Sequence, residues 1–335
     1  MILRSIAVLL LVLSAVLAWA WQDYQAFIAR PIVAQELVIM EIAKGSSFRS
    51  IIQQLDSQTG LQQADIDKLW FKILAHQLGL ITQLKAGEYL LPVGQTPTKF
   101  LLLLSRGITR QHSITFPEGW TFKQIRQTLS ADKDLKLTLT GISDSEILQQ
   151  IGSTYTHPEG LFFPDTYRFE KSTTDLAILQ RAYQKMQQVL AQQWVNKEEG
   201  LPIKTAYEAL ILASIVEKET GVSSERPAIA GVFTRRLNKG MRLQTDPTVI
   251  YGMGESYQGN IRKKDLQTLT PYNTYKINGL PPTPIAMPGV EAIHAVLHPA
   301  KGSSLYFVAN GDGSHNFSAT LSEHNRAVQA YLRKR

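Results

Sequence analysis

The apolar positions of this chain change spacing along its length, and each spacing predicts an element. From Ile6 to Trp21 no residue is charged and almost all are apolar, as in a helix without a polar face. Gln22–Glu36 reads as a short tether. Leu37–Ile42 and Lys85–Leu91 read as strands. Between them, helical spacing runs from Gly45 through Leu55 and again over Ala64–Leu78. The order is therefore strand, helix, helix, strand, and Pro97–Leu104 adds a short apolar helix. Thr174–Val195, Ser224–Leu237 and Gly289–Leu297 predict further helices. Ser304–Ala309 and His315–Ser318 flank Asn310-Gly311-Asp312-Gly313, a hairpin signal. Thr320 and Glu323 have capping-box spacing for a last helix.

One pattern occurs twice. KGSSFRSIIQQL from Lys44 matches EGWTFKQIRQTL from Glu118, with Gly45/Gly119, Ser47/Thr121, Phe48/Phe122, Ile51/Ile125 and Leu55/Leu129 coinciding. Each copy follows a strand-like run and carries a capping hydroxyl before Phe. Two strand-turn-helix units and a later hairpin predict an α+β fold with mostly antiparallel pairing.

The stretch Thr205–Gly221, TAYEALILASIVEKETG, is apolar almost all round from Ala209 to Val216. A helix of that composition belongs inside a protein. Thr205 and Glu208 have capping-box spacing, and Gly221 stands at a stop. At about 100° per residue, Ala206, Leu210, Ala213 and Glu217 share one stripe, while Lys218 and Glu219 point elsewhere. Glu217 is thus expected to be partly desolvated, near the negative end of the helix dipole. Both effects favour the neutral acid, the form that general acid catalysis uses. An ion pair with Lys218 or a nearby arginine accounts for the same spacing equally well.

Two irregular stretches follow. Arg242–Gly254 is polar, then apolar, then glycine-rich. Thr270–Pro288 carries five of the fifteen prolines, so it forms neither a regular helix nor a central strand. Pro158–Tyr167 is a third segment dense in turn residues and aromatics. Asp165 and Asp246 are candidates for a second carboxylate beside Glu217, as in a two-carboxylate glycosidase. His294 and His298 stand four apart, but no Glu follows His294, so the zinc motif HExxH is absent and no metal site is expected. No G-x-S-x-G elbow is present.

With 335 residues, 44% hydrophobic and 19% charged, the chain has room for about two domains and a sizeable core. The formal net charge of +7 suits an anionic partner: a membrane surface, an acidic polymer or nucleic acid. The absence of cysteine excludes disulfides and thiolate chemistry. Arg4 ahead of the apolar run places the amino terminus in the cytoplasm and the bulk of the chain outside. Ala18-Trp19-Ala20 resembles a cleavage site, but Trp19 and Trp21 are better read as interfacial anchors of an uncleaved span.

Long blocks carry a family resemblance: Gly160–Tyr167, Ala213–Thr220, Arg242–Gly252, Tyr272–Tyr275 and Gly279–Ile285. Together they resemble the bacterial endolytic murein transglycosylases, the YceG-like family, over nearly the whole chain. The resemblance implies an anchor at 1–21, a tether at 22–36, a LysM-like subdomain at 37–107 that binds N-acetylglucosamine-containing glycans, and a catalytic domain at 108–335. It implies cleavage of the β-1,4 bond between N-acetylmuramic acid and N-acetylglucosamine in nascent strands, leaving 1,6-anhydromuramoyl ends and terminating elongation. It places the family's catalytic glutamate at Glu217. Gln244, Asp246, Asn273 and Tyr275 are candidates for holding sugar hydroxyls and acetamides. Glu217→Gln is then expected to abolish cleavage and Glu219→Gln to cost far less. The implied partners are peptidoglycan strands, the inner membrane and peptidoglycan synthases, with no nucleic acid and no cofactor. A non-catalytic glycan-binding scaffold and a two-carboxylate hydrolase remain the alternatives.

The topology is directly testable. Protein purified from membranes should still carry the sequence ahead of Trp21 when sequenced from its amino terminus. A mature chain beginning at Trp21 would show that the apolar run is a cleaved signal.

Overall fold

The computed structural model describes residues 2–59 and 65–334. Ala64, the expected start of the second helix, and Arg335 lie outside the described residues. The chain divides into two units, one made of the residues up to His112 with Phe169–Ser172, the other of Ser113–Arg168 with Thr173 onward.

The first unit begins with a helix over Ile2–Ala29. Leu9, Leu11, Leu17, Trp19 and Trp21 are exposed on it. Its most apolar 18-residue stretch has a mean hydropathy of 2.2. At about 1.5 Å per residue such a helix is long enough to cross a bilayer. It does not stop where the apolar run stops. Residues 22–36, read as a tether, are helical as far as Ala29, and Tyr24, Phe27, Ile32 and Val33 are buried. Gln22, Asp23 and Gln25 interrupt the apolar run but not the helix, because Tyr24, Phe27 and Ile28 fall on one face and have a core to enter. Pro31 then disfavours helix at Arg30 and ends it.

That core is closed by the expected strand, helix, helix, strand order: Val38–Ile42, Phe48–Thr59, Asp65–Gln77 and Gly87–Leu91. The two strands pair antiparallel with Met40 opposite Tyr89, and both side chains are fully buried. A helix at Pro97–Arg106 follows, capped by Thr96 at its start and left-handed Gly107 at its end. Phe71, Phe100, Leu101 and Leu104 fill the space between these elements.

The second unit is mainly helical. The Ala206–Glu219 helix is buried from Ala209 to Val216 and packs against helices Asp175–Val195, Arg226–Asn238, Asp246–Met253 and Val290–Leu297. Tyr306–Ala309 and His315–Ser318 form the expected antiparallel hairpin. Gln111–Thr115 pairs with Thr166–Glu170. Among the described residues every sheet has two strands, so the fold is α+β with small sheets. The repeated sequence pattern is a repeated structure. Gly45 (φ 83°) and Gly119 (φ 74°) both turn in the left-handed region, where a side chain is strained. Each turn leads into a helix, Phe48–Thr59 and Phe122–Ala131.

If the residues beyond the apolar run are core, truncating one of them should destabilise the first unit. Phe27 is 3% exposed, so Phe27→Ala should cost about 3–5 kcal/mol. Trp21→Ala, on an exposed position, should cost close to nothing in detergent. Thermal unfolding of the full chain in micelles compares the two.

Candidate active site

The Ala206–Glu219 helix is fixed at both ends and along one side. Thr205 Oγ1 accepts the Glu208 amide at 3.1 Å. The Glu208 carboxylate reaches back to the Lys204 amide. Midway, the buried Ser214 hydroxyl donates to the Ile211 carbonyl at 2.7 Å and accepts the Ile285 amide at 2.9 Å. That second bond ties the proline-rich stretch to the helix.

In the last turn the two glutamates diverge, as their spacing requires. Glu217 is drawn into an ion-pair cluster. Arg226 Nη2 donates to its Oε1 at 2.9 Å, and the Gly289 amide donates to its Oε2 at 3.0 Å. Arg226 also holds Glu118 at 3.3 Å and Glu291 at 2.5 Å. Only 5% of the Glu217 side chain is exposed. The expected desolvation is present, but the expected lone acid is not. The Arg226 contact is the arginine-paired alternative.

Glu219 faces the other way, into a cavity of about 440 Å³ lined also by Gln244, Thr245, Asp246, Tyr275 and His315. Loss of water around the carboxyl pushes it up to about 7, and the charge of Asp246 acts in the same direction. A hydrogen bond from Thr245 Oγ1, with the charges of His315 and Arg236, opposes that rise without cancelling it. Arg236 does not pair with Glu219; its Nη1 donates to the Leu243 carbonyl at 2.7 Å and its Nε to the Leu305 carbonyl at 2.6 Å. The cavity therefore holds a carboxyl group still substantially protonated near neutral pH, the state a general acid needs.

The residues expected to hold sugar divide. Gln244, Asp246 and Tyr275 line the Glu219 cavity, and Tyr275 donates its hydroxyl to Asp246 Oδ1 at 2.6 Å. Gln244 adopts a left-handed φ of 50°, uncommon for a residue with a side chain and frequent where function imposes strain. Asn273 is 1% exposed and is not a free ligand-binding group. Its Nδ2 donates to the carbonyls of Asp265, Leu266 and Thr268, and its Oδ1 accepts the Tyr275 amide at 3.0 Å. It braces the loop that presents Tyr275. Asp165 pairs with Lys185, which holds it below the usual carboxylate range. His294 and His298 stack on one another and bond to Gln193 Oε1 and the Asn196 carbonyl.

The cavity's other lining residues went unremarked in the sequence. Thr245 sits directly before Asp246. His315 lies in the hairpin, where its ring and amide are both held by Glu225 at 2.8 and 2.9 Å. A separate cavity of about 990 Å³ has Glu159 in its wall. Burial pushes that carboxyl up to about 7 as well, but both its oxygens are taken, by the Phe122 amide and the Tyr251 hydroxyl.

Comparison with known proteins places the chain in a family. Residues 40–330 match the YceG-like family. The chain belongs to that family. It is 33% identical over 265 residues to an endolytic murein transglycosylase of Bacillus subtilis strain 168, covering 74% of this chain and 73% of the relative. A protein of that same name from Streptococcus pneumoniae strain D39 is 30% identical over 335 residues, covering 89% of this chain. This chain spans 59% of the pneumococcal protein's length. A crystal structure of a YceG-like protein from Listeria monocytogenes superposes with a TM-score of 0.55 at 32% identity, covering 87% of this chain and 98% of that one. The Glu219 cavity and the Glu217 cluster both fall inside the YceG-like region.

A carboxyl whose folded value lies above its unfolded one contributes stability that is complete at acidic pH and is lost as pH rises through about 7. Glu219→Gln removes that loss. The variant should match the parent at pH 4 and be more stable by up to about 3 kcal/mol at pH 8. Thermal melts across that range measure it, and Glu217→Gln, which breaks a buried ion pair, should instead be destabilised throughout.

Proposed function

We propose that this chain is an endolytic lytic transglycosylase of peptidoglycan and that Glu219, rather than Glu217, moves the proton. One observation carries the reading: the E-K-E triplet offers a cation-paired side chain on one side and, on the other, a carboxyl in a cavity that loss of water pushes up to about 7. Glu219 gives its proton to the oxygen that links N-acetylmuramic acid to N-acetylglucosamine. The anomeric C–O bond then breaks and leaves positive charge at the anomeric carbon. The Glu219 carboxylate takes the proton of the muramoyl C6 hydroxyl as that oxygen attacks the anomeric carbon. The 1,6-anhydro ring closes, Glu219 is protonated again, and no water is consumed. Asp246, held by Tyr275, is an acidic side chain placed to favour the developing positive charge.

The finer organisation belongs to the same reading. Residues 1–21 anchor the chain in the inner membrane, with its amino terminus cytoplasmic and the rest periplasmic. Residues 37–107 form a LysM-like glycan-binding subdomain, supported by their strand, helix, helix, strand order. Residues 108–335 are the catalytic domain, which terminates nascent strands beside the synthases. A second reading has one observation in its favour: Asp246 supplies another carboxylate at the Glu219 cavity, as a two-carboxylate hydrolase requires.

Variants and product ends separate these. Folded Glu219→Gln should release anhydromuramoyl-ended fragments from uncrosslinked glycan about 10²–10⁴-fold more slowly. Glu217→Gln should retain turnover in whatever fraction stays folded. A dead Glu217→Gln beside an active Glu219→Gln returns the acid to Glu217. Ends heavier by one water in mass spectra identify the hydrolase, and no cleavage at all by the parent identifies a scaffold.

A further inference from the structure

The N-terminal helix enters the first unit as a packed element. Three contacts fix its direction against the Asp65–Gln77 helix. The Tyr24 hydroxyl donates to Gln77 Oε1 at 2.5 Å. The rings of Phe27 and Phe71 meet edge to face at 4.9 Å. Arg30 pairs with Asp67 at 2.5 Å. Numbers rise on one helix as they fall on the other, so the two are antiparallel. The Asp65–Gln77 helix therefore runs back toward the end from which the apolar span arrives.

The turn Leu78-Gly79-Leu80-Ile81, directly after Gln77, lies at that end. It begins at the level of Tyr24, which is three residues, about 4.5 Å of helix, beyond Trp21. Trp19 and Trp21 are 56% and 64% exposed, as interfacial aromatics are. In the turn, Leu80 is buried, but Leu78 and Ile81 stand 38% and 36% exposed. The sequence around them suits an anionic surface: from Leu69 to Gly87 there is no acidic residue, and Lys72 and Lys85 are positive. An equally apolar residue at the opposite end serves as a contrast. Val93 is 54% exposed, and its neighbours Gly94 and Gln95 bond to Val33 and Ile32, past the end of the span helix.

We propose that the Leu78–Ile81 turn is seated in the interface of the bilayer that the N-terminal helix crosses, beside Trp19 and Trp21. The occupant of this apolar patch is lipid. The span and the turn are two adjacent points of attachment, and the continuous helix between them has no hinge. The first unit is thereby held against the membrane at a fixed tilt, with the Val93 end toward the aqueous phase. This rests on the reading of the apolar run up to Trp21 as an uncleaved span.

The chain has no cysteine, so single nitroxide labels are unambiguous. Full-length Val12→Cys, Leu78→Cys, Ile81→Cys and Val93→Cys are labelled and reconstituted into vesicles of phosphatidylethanolamine and phosphatidylglycerol. Collision of each label with oxygen, which favours lipid, is compared with collision with a water-soluble nickel chelate. The oxygen-to-nickel ratio at Leu78 and Ile81 should exceed that at Val93 severalfold and approach that at Val12. If Val12 reports lipid while Leu78 and Ile81 match Val93, the seating is overturned and the span stands. If Val12 itself reports water, the span reading fails and the proposal with it. If Val93 also reports lipid, the fixed tilt is wrong.

Discussion

Keeping one carboxyl out of water without a cation to neutralise it is the constraint on which the second unit turns. Burying an ionised carboxylate in an apolar surrounding is costly, and a protein meets the cost by pairing it or by leaving it protonated. The last turn of the Ala206–Glu219 helix does both, two residues apart. Glu217 is paired by Arg226. Glu219 accepts a hydroxyl donor, and burial pushes its carboxyl up to about 7. The buried body of the helix makes the division possible, because it fixes the opposite directions in which the two side chains leave the last turn.

The remaining parts serve this arrangement. Ser214 anchors the proline-rich stretch to the helix, Asn273 stiffens the loop that carries Tyr275, and Tyr275 holds Asp246. Glu225 clamps His315 at the cavity wall.

How much of this was legible in the sequence depended on how local the cause was. The buried helix, its Thr205 cap, the first unit's strand, helix, helix, strand order and the terminal hairpin follow from periodicity and turn chemistry, and the structure has them. The divergence of Glu217 and Glu219 follows from helical spacing. Which of them meets a cation does not, because Arg226 reaches Glu217 from the next helix through tertiary packing. Pro247 and two glycines concealed the Asp246–Met253 helix, though proline in a first turn removes a donor that has no partner there anyway. Asn273 looked like a sugar-binding side chain because loop asparagines often face solvent; here the carbonyls of its own loop consume it. Polar Gln22, Asp23 and Gln25 made the end of the N-terminal helix look like a linker, since the face carrying Tyr24 and Phe27 is only two turns long.

The central claim is that the protonated carboxyl of the E-K-E triplet belongs to Glu219. Carboxyl resonances of protein labelled with ¹³C at glutamate, followed through a pH titration, address it without relying on turnover. The account predicts a resonance titrating near 7 that disappears in Glu219→Gln and persists in Glu217→Gln. A near-neutral resonance lost only in Glu217→Gln would contradict it.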